Sequence, residues 1–443
     1  MGSKVSIGDV VSLSQGFAVN SKSKHLMGDS GLPLLRITDL INGTEAQYLT
    51  KETAPTKCIA QKHEIIFTRT GQVGLVFRGR EGVVHNNCFK VIPNEDLVTH
   101  DYIYWTLKQP HIIKLANSVA SGSVQKDLNH SAFKSIDIDL IPKTVQEQNC
   151  QILNRIEEKL ILNTQINQTL EQMAQVLFKS WFVDFDPVID NALDAGSDIP
   201  EVFESRVERR KAVRESADFK PLPDDVRRLF PSEFEESESG WVPKGWETST
   251  AGQELTVKGG STPSTKNPDF WDGGNINWTS PKDLSDNDTK IMFETSRKIT
   301  DAGLAKITSG LLPRETVLMS SRAPVGYLAL TKIPVAINQG YIAIPESRRL
   351  SQEYILYWLD SQMDMIKGLS GGTTFAEISK KTFKSISILV PPCPIVEAFS
   401  KNVEVYLNKI SSNVGESSLL ATVQSSLLPK LISGELEIIR SGK

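Results

Sequence analysis

Ser118–Pro142 reads SVASGSVQKDLNHSAFKSIDIDLIP, and Gly368–Pro392 reads GLSGGTTFAEISKKTFKSISILVPP. The two stretches align without a gap at an offset of 250. They share Gly122 with Gly372, Phe133-Lys134-Ser135-Ile136 with Phe383-Lys384-Ser385-Ile386, and Pro142 with Pro392. Upstream the correspondence continues at an offset of 252, where Val73-Gly74 matches Val325-Gly326, Asn86-Asn87 matches Asn338-Gln339, and Asp101-Tyr102-Ile103 matches Glu353-Tyr354-Ile355. Four segments in the same order make an internal repeat, and a repeat decides architecture before any motif does.

Each copy opens with short apolar or alternating runs bounded by Gly, Asn, Asp and Pro. Glu64–Thr68, Gly74–Phe77, Thr316–Ser320 and Gly326–Leu330 read as strands. Tyr102–Ala116 and Gln352–Lys367 carry helical spacing. The repeated unit is therefore mixed α and β.

A different pattern follows each copy. Within residues 143–182, Ile156, Leu160, Ile166, Leu170, Met173, Leu177 and Trp181 recur at steps suited to one face of a long helix. The second copy supplies Tyr406, Ile410, Leu420, Val423, Leu427 and Leu431, with Glu416 at the place of Ile166. Asn163 and Asn413 occupy matching places. Either they lie in the seam, costing stability and fixing register, or they face water. Pro429 is expected to bend or end the second helix. Forty helical residues span roughly 60 Å, and an apolar stripe that long needs a partner. The simplest partner is its own repeat. The expected fold is α+β: two α/β recognition domains separated by two long antiparallel coiled-coil-like helices, with a pseudo-twofold axis. The expected divisions are 1–142 and 241–392 for the two domains, 143–182 and 393–433 for the helices, 183–240 for a connector, and 434–443 for a tail.

The chain has 443 residues, too many for one ordinary core. A 39% hydrophobic and 23% charged composition suits a soluble protein. No apolar run reaches the ~20 residues of a membrane helix, and no signal peptide is visible. Cys58, Cys88, Cys150 and Cys393 are scattered, which argues against zinc or disulfides and for a reducing cytoplasm. The net charge of −4 hides a division. Residues 1–142 hold fifteen Lys and Arg against thirteen Asp and Glu, and residues 241–392 hold seventeen against fifteen. Residues 183–240 hold eight against sixteen. Glu201–Glu215 there reads as a charged amphipathic helix, in a connector that phosphate would repel.

Two mildly basic heads with approximate twofold symmetry suit duplex DNA. Candidate contacts are loops that recur in both copies. Arg69 and Gln72, matched by Ser321 and Arg322, offer guanidinium forks for guanine or phosphate. Asn86 and Asn87, matched by Asn338 and Gln339, suit adenine or cap turns. Ser121, Ser123 and Lys126, matched by Thr373 and Thr374, suit a phosphate cradle. Lys22 and Lys24 in the first copy, and Ser261, Thr262, Ser264 and Lys266 in the second, complete the set.

Catalytic signatures are missing, and no metal ligands or cofactor site are expected in the chain. No Gly-x-x-x-x-Gly-Lys-Ser/Thr loop occurs, which argues against ATP hydrolysis. Pro392-Cys393 resembles a cytosine methyltransferase nucleophile without its glycine-rich loop. His85-Asn86-Asn87 resembles a nuclease fragment, yet all six histidines lie in the first half. Glu157-Glu158-Lys159 falls on the long helix and reads as a solvated face.

Several segments together resemble the specificity subunits of Type I restriction–modification systems. They are Leu177-Phe178-Lys179-Ser180-Trp181-Phe182-Val183-Asp184-Phe185-Asp186-Pro187, Leu229–Trp246, Gly259-Gly260-Ser261-Thr262-Pro263-Ser264, and Leu428-Pro429-Lys430-Leu431-Ile432-Ser433-Gly434-Glu435-Leu436. The first copy departs from this pattern, offering Gln15-Gly16-Phe17 where the second has its Gly-Gly-Ser-Thr-Pro. The resemblance implies a prokaryotic, non-catalytic subunit whose domains each read half of a split site in double-stranded DNA. It also implies helices that recruit two modification subunits, which use S-adenosylmethionine to methylate adenine, and restriction subunits that use ATP and Mg. Two rivals remain at this stage. One is a stand-alone nuclease or methyltransferase, which would turn over DNA without other subunits; the other is a scaffold with protein-binding heads, which would lack salt-dependent DNA binding.

Overall fold

A computed structural model describes residues 3–21, 23–122, 125–237, 240–285, 289–371 and 376–436. The chain forms two compact units, one of residues 1–161 and 416–443, the other of residues 162–415. These units cut across the divisions expected from sequence, because each contains one head and parts of both long helices.

The first head holds an antiparallel sheet ordered Val11–Gln15, Cys88–Pro93, Ile65–Thr68, Val76–Phe77. The second head repeats it as Leu255–Lys258, Tyr341–Ser347, Val317–Ser320, Leu328–Thr331, and adds Ile291–Met292 in parallel. A second sheet recurs as well: Leu32–Leu35 runs parallel to Gly82–Val84, and Ile276–Thr279 runs parallel to Ala336–Ile337. The opening strand of each head pairs with its last, Ser3–Ser6 with Asp137–Leu140 and Glu247–Thr250 with Ser387–Val390. The expected strands are thus found within two residues of their predicted ends. The helix expected over Tyr102–Ala116 is two helices, His100–Leu107 and Pro110–Val119. Pro110 forces Gln109 into an extended conformation and then starts the next helix. Gln352–Ser361 and Met363–Gly368 repeat the break at Gln362.

The first long helix spans Lys143–Phe178 and widens into a π turn over Lys179–Val183. The wider turn lets consecutive Trp181 and Phe182 both enter the core of the second unit, beside Phe178 and Phe399. The second long helix spans Cys393–Ser433. Pro429 does not end it; the helix continues one further turn and stops at left-handed Gly434.

In both units the helices pair antiparallel. Within the first, the Asn149 amide donates to Leu431 O at 2.8 Å, and Lys159 meets Glu416 at 3.1 Å. Glu416 is therefore an ion-pair partner and not a gap in the seam. Within the second unit Asn163 and Asn413 are 0% and 1% exposed, so these amides lie inside. Asn163 Nδ2 approaches Asn413 O at 3.5 Å, and Asn413 Nδ2 donates to Asn167 Oδ1 at 2.8 Å. Ile156, Leu160, Asn163, Asn167, Leu170, Ala174, Leu177 and Trp181 follow alternating steps of four and three, the period of a coiled coil. Met173 and Val423 are corrected: they are 45% and 36% exposed, and Ala174 takes the seam place expected of Met173. Leu153, Leu431 and Ile432 join the head core of the first unit, while Phe178, Val403, Leu407 and Ile410 join that of the second.

The acidic connector is a folded lobe. Its helices Asp186–Ala195 and Glu204–Arg214 sit in the second unit. Phe185, Phe203 and Phe230 pack with Trp246, each such burial contributing about 1.5–3 kcal/mol. Arg210 grips Asp190 through two bonds of 2.8 and 2.5 Å, Arg214 and Arg227 share Asp194, and Arg209 meets Asp184 at 2.9 Å. Asp184, Asp186, Asp190 and Asp194 are thus paired within the lobe, and most of its glutamates have no arginine partner among the described residues. No helix among the described residues is long and apolar enough to cross a membrane.

Replacing Asn167 by Ala leaves the buried Asn413 amide without its acceptor. The second unit should lose about 1–3 kcal/mol, and Leu at both positions should recover most of the loss. Denaturant unfolding of the full chain measures both.

Candidate nucleic-acid interface

One loop construction is present twice. Ser121 and Asp127 exchange backbone hydrogen bonds of 2.9 and 2.8 Å, closing the loop between them into a tongue. Gly371 and Glu377 do the same at 3.2 and 2.9 Å. Each tongue is tied to the loop that carries the candidate arginine. Leu128 N donates to Arg69 O at 2.9 Å, and Ile378 N donates to Ser321 O at 3.1 Å. Gly122 has φ +101°, and a Cβ there would lie 2.3 Å from Gln125 O, so only glycine fits.

A second approach is also duplicated. Phe17 N donates to Val84 O at 2.7 Å, and Ser261 N donates to Ile337 O at 3.1 Å. A Cβ on Gly16 would meet His85 O at 2.2 Å, and one on Gly260 would meet Ile337 O at 1.8 Å. Gln15-Gly16-Phe17 is therefore the counterpart of Gly259-Gly260-Ser261, a role the sequence left open. These turns rest against the strand that leads to Asn86-Asn87 or Asn338-Gln339. Three candidate loops converge in each head as a result. Thr262 Oγ1 donates to Gln339 Oε1 at 2.7 Å, and Gln15 Nε2 donates to Asn86 O at 2.9 Å.

The side chains divide into holders and available groups. Arg69 is a holder: it reaches Asp127 at 2.6 Å, Leu128 O at 3.2 Å and Gln15 Oε1 at 3.3 Å. Arg322 stands only 3.9 Å from Glu377 and is more exposed. Asn338 Oδ1 accepts from Gly340 N at 2.8 Å, and Ser261 Oγ donates to Lys306 O at 2.8 Å. Ser121 Oγ donates to Asp127 O at 3.3 Å, and Lys126 Nζ donates to Asn117 O at 3.1 Å. Both remain exposed, as do Lys24, Gln72, Thr262, Ser264, Lys266 and Gln339. Asn86 and Asn87 are half-buried. Ser321 corrects the expectation: it is 4% exposed and its backbone ties Gly340 O to Ile378 N, so it is framework. Lys22, Ser123, Thr373 and Thr374 lie outside the described residues.

The residue resembling a nuclease histidine is a turn cap. His85 Nδ1 accepts from Asn87 N at 3.3 Å, and burial, aided by Arg36, pushes its pKa below the ordinary value.

Three groups escaped the sequence reading. Arg297 lies 3.5 Å over the ring of Trp271, whose indole N–H donates to Ser264 O at 3.0 Å. The arrangement presents an exposed guanidinium beside the Ser261–Lys266 loop. Lys380 places its ammonium where a Cβ on Gly259 would stand, 2.1 Å away. The pair Lys380-Lys381 was a visible charge signal; the Trp271–Arg297 contact joins distant segments and had none.

The match to the family described as Type I restriction modification DNA specificity domain covers residues 3–172 and again residues 243–414. The chain belongs to that family. The specificity subunit of the Type I restriction enzyme HindI, from Haemophilus influenzae, is 29% identical over 80% of this chain and 81% of its own length. The MjaIX specificity subunit of Methanocaldococcus jannaschii is 35% identical over 38% of this chain and 39% of its own. A crystal structure of a Type I system S subunit from M. genitalium shares the fold, with a TM-score of 0.57 and 15% identity, over 97% of this chain and 95% of that one. Family membership makes this chain a DNA-specificity component, with catalysis assigned to other subunits.

Gly16→Ala and Gly260→Ala should each cost about 1–3 kcal/mol, because the clash is with backbone. Each should weaken DNA binding through its own head only, as read by titrating duplexes altered in one half of the target.

Proposed function

We propose that the two heads, residues 1–142 and 241–392, each read one half of a split target in double-stranded DNA. The helices at 143–182 and 393–433 set the spacing and recruit two modification subunits, and restriction subunits join that complex. S-adenosylmethionine then belongs to the modification subunits, ATP and Mg to the restriction subunits, and the assembly works in the cytoplasm.

The observation that carries this reading is the paired tongue: the same closed loop, tied to the same arginine-bearing loop, in both heads. Phosphate binding needs exposed cations and hydroxyls, and base reading needs donors and acceptors that the fold has not consumed. By that test Arg322, Arg297, Lys266, Lys380 and Gln339 are the contacts of the second head. Lys24, Gln72, Asn86, Asn87, Ser121 and Lys126 are those of the first. Arg69 orders its tongue and acts on DNA through it. The connector stays clear of phosphate, since its remaining charge is negative. Exposed Val176, Val405 and Leu419 on the long helices offer apolar surface to partner subunits.

Arg322→Ala and Arg297→Ala, assembled with modification subunits, should each lose about 1–3 kcal/mol of discrimination at positions in one half-site. The other half-site should be unchanged. Selection from a randomised duplex pool measures this. Affinity independent of salt, or a wild-type selection that yields no two-part target, overturns the proposal.

A further inference from the structure

Each head is fixed to the long helix below it by charge as well as by apolar packing. In the first unit the anchor is Glu157. Its carboxylate accepts from Arg78 at 2.6 Å, Tyr104 Oη at 2.6 Å and Lys108 Nζ at 2.9 Å, all three from the head. One turn earlier on the helix, Asn154 accepts from the Trp105 indole at 2.8 Å and donates to Asp101 at 2.8 Å. Arg78 lies 3.9 Å over the Tyr104 ring and also meets Asp101 at 2.5 Å. Burial pushes the Glu157 carboxyl up, but Lys108, Tyr104 and Arg78 together hold it below the usual carboxylate range.

In the second unit the anchor is Glu171, on the same helix. It accepts from Lys290 and from Tyr357 Oη at 3.1 Å, and Lys290 also meets Asp360 at 3.3 Å. Both carboxylates are shielded, with side chains 16% and 19% exposed. The pairing does not follow the repeat, since the place of Glu157 in the second copy is Leu407. Glu157 and Glu171 are fourteen residues apart, two heptads, and so share one heptad position of a single helix.

We infer that Glu157 and Glu171 are positioning residues that lock the tilt of each head on the first long helix and so set which spacer length the protein accepts. The inference rests on the two-headed reading of DNA above. Apolar packing resists separation but is non-directional. Hydrogen-bonded charge has preferred angles and resists rotation. Rotation is what spacer choice depends on. One base pair adds about 3.4 Å and rotates a half-site by about 35°. A head held at a fixed tilt makes the DNA absorb a wrong spacer as twist or bend, and a loosened head absorbs it instead.

The test uses the full chain assembled with modification subunits and a duplex pool holding both half-sites with varied spacers. Glu157→Gln and Glu171→Gln should leave both half-site sequences unchanged. Discrimination against spacers one base pair longer or shorter should fall by about tenfold. Glu157→Asp, which keeps the charge, should recover part of it. A role in stability alone would lower the yield of complex without broadening the spacer profile. An unchanged profile in either assembled Gln variant overturns the inference, as does loss of half-site sequence preference in parallel with spacer choice. If one variant fails to assemble, the other decides, and if both fail the inference is rejected in favour of a purely stabilising role. A wild-type protein that selects no two-part target would instead reject the reading beneath it.

Discussion

Two apolar stripes that neither helix can hide alone are the constraint on which this molecule rests. Pairing them antiparallel puts the start of one helix beside the end of the other in the first unit, and reverses the roles in the second. The seam then runs on into the heads. Tyr102, in the first head, donates to Ile432 O at 3.1 Å, and Phe399, in the second helix, packs against Tyr357 in the head of its unit. A head in either unit therefore has no complete core without residues from both long helices. The buried amides at Asn163, Asn167 and Asn413 interrupt the apolar seam where a slipped pairing would strand them.

The electrostatics are local. The connector carries the excess acid, and its arginines pair with Asp184, Asp190 and Asp194 within the same lobe. The heads keep a small positive balance, and several cations in the second head are left facing solvent near the converging loops. A protein with negative net charge can bind a polyanion on these terms, because phosphate responds to charge within about a Debye length and not to the sum over the chain.

Much of the fold was legible because duplication tests every pattern twice. The heads, the long helices and the antiparallel pairing follow from the offset of 250 and the spacing of apolar residues. Errors arose where two neighbours competed for one place. Met173 and Val423 are more apolar than Ala174 and Gln424, yet the backbone phase buries Ala174 and half-buries Gln424. The connector's charged helix was legible and is found at Glu204–Arg214, but its core was not, since Phe185, Phe203 and Phe230 are spaced too irregularly to announce one. The candidate loops were found by recurrence, but exposure was not visible in them. Arg69 stands where the second head has Ser321, and Arg322 where the first has Thr70; the carboxylate distances, 2.6 against 3.9 Å, separate the holder from the available group. Glu157 read as solvated because its partners lie on segments far away in sequence.

The tongues have an implication for how recognition could drift. Their closure depends on main-chain N–H and C=O groups, which every residue but proline supplies in full. Apart from Gly122, Asp127 and Arg69, the closure therefore places little demand on side-chain identity. A lineage could acquire a new target through a handful of substitutions between the bridged residues while the surrounding architecture stays as it is.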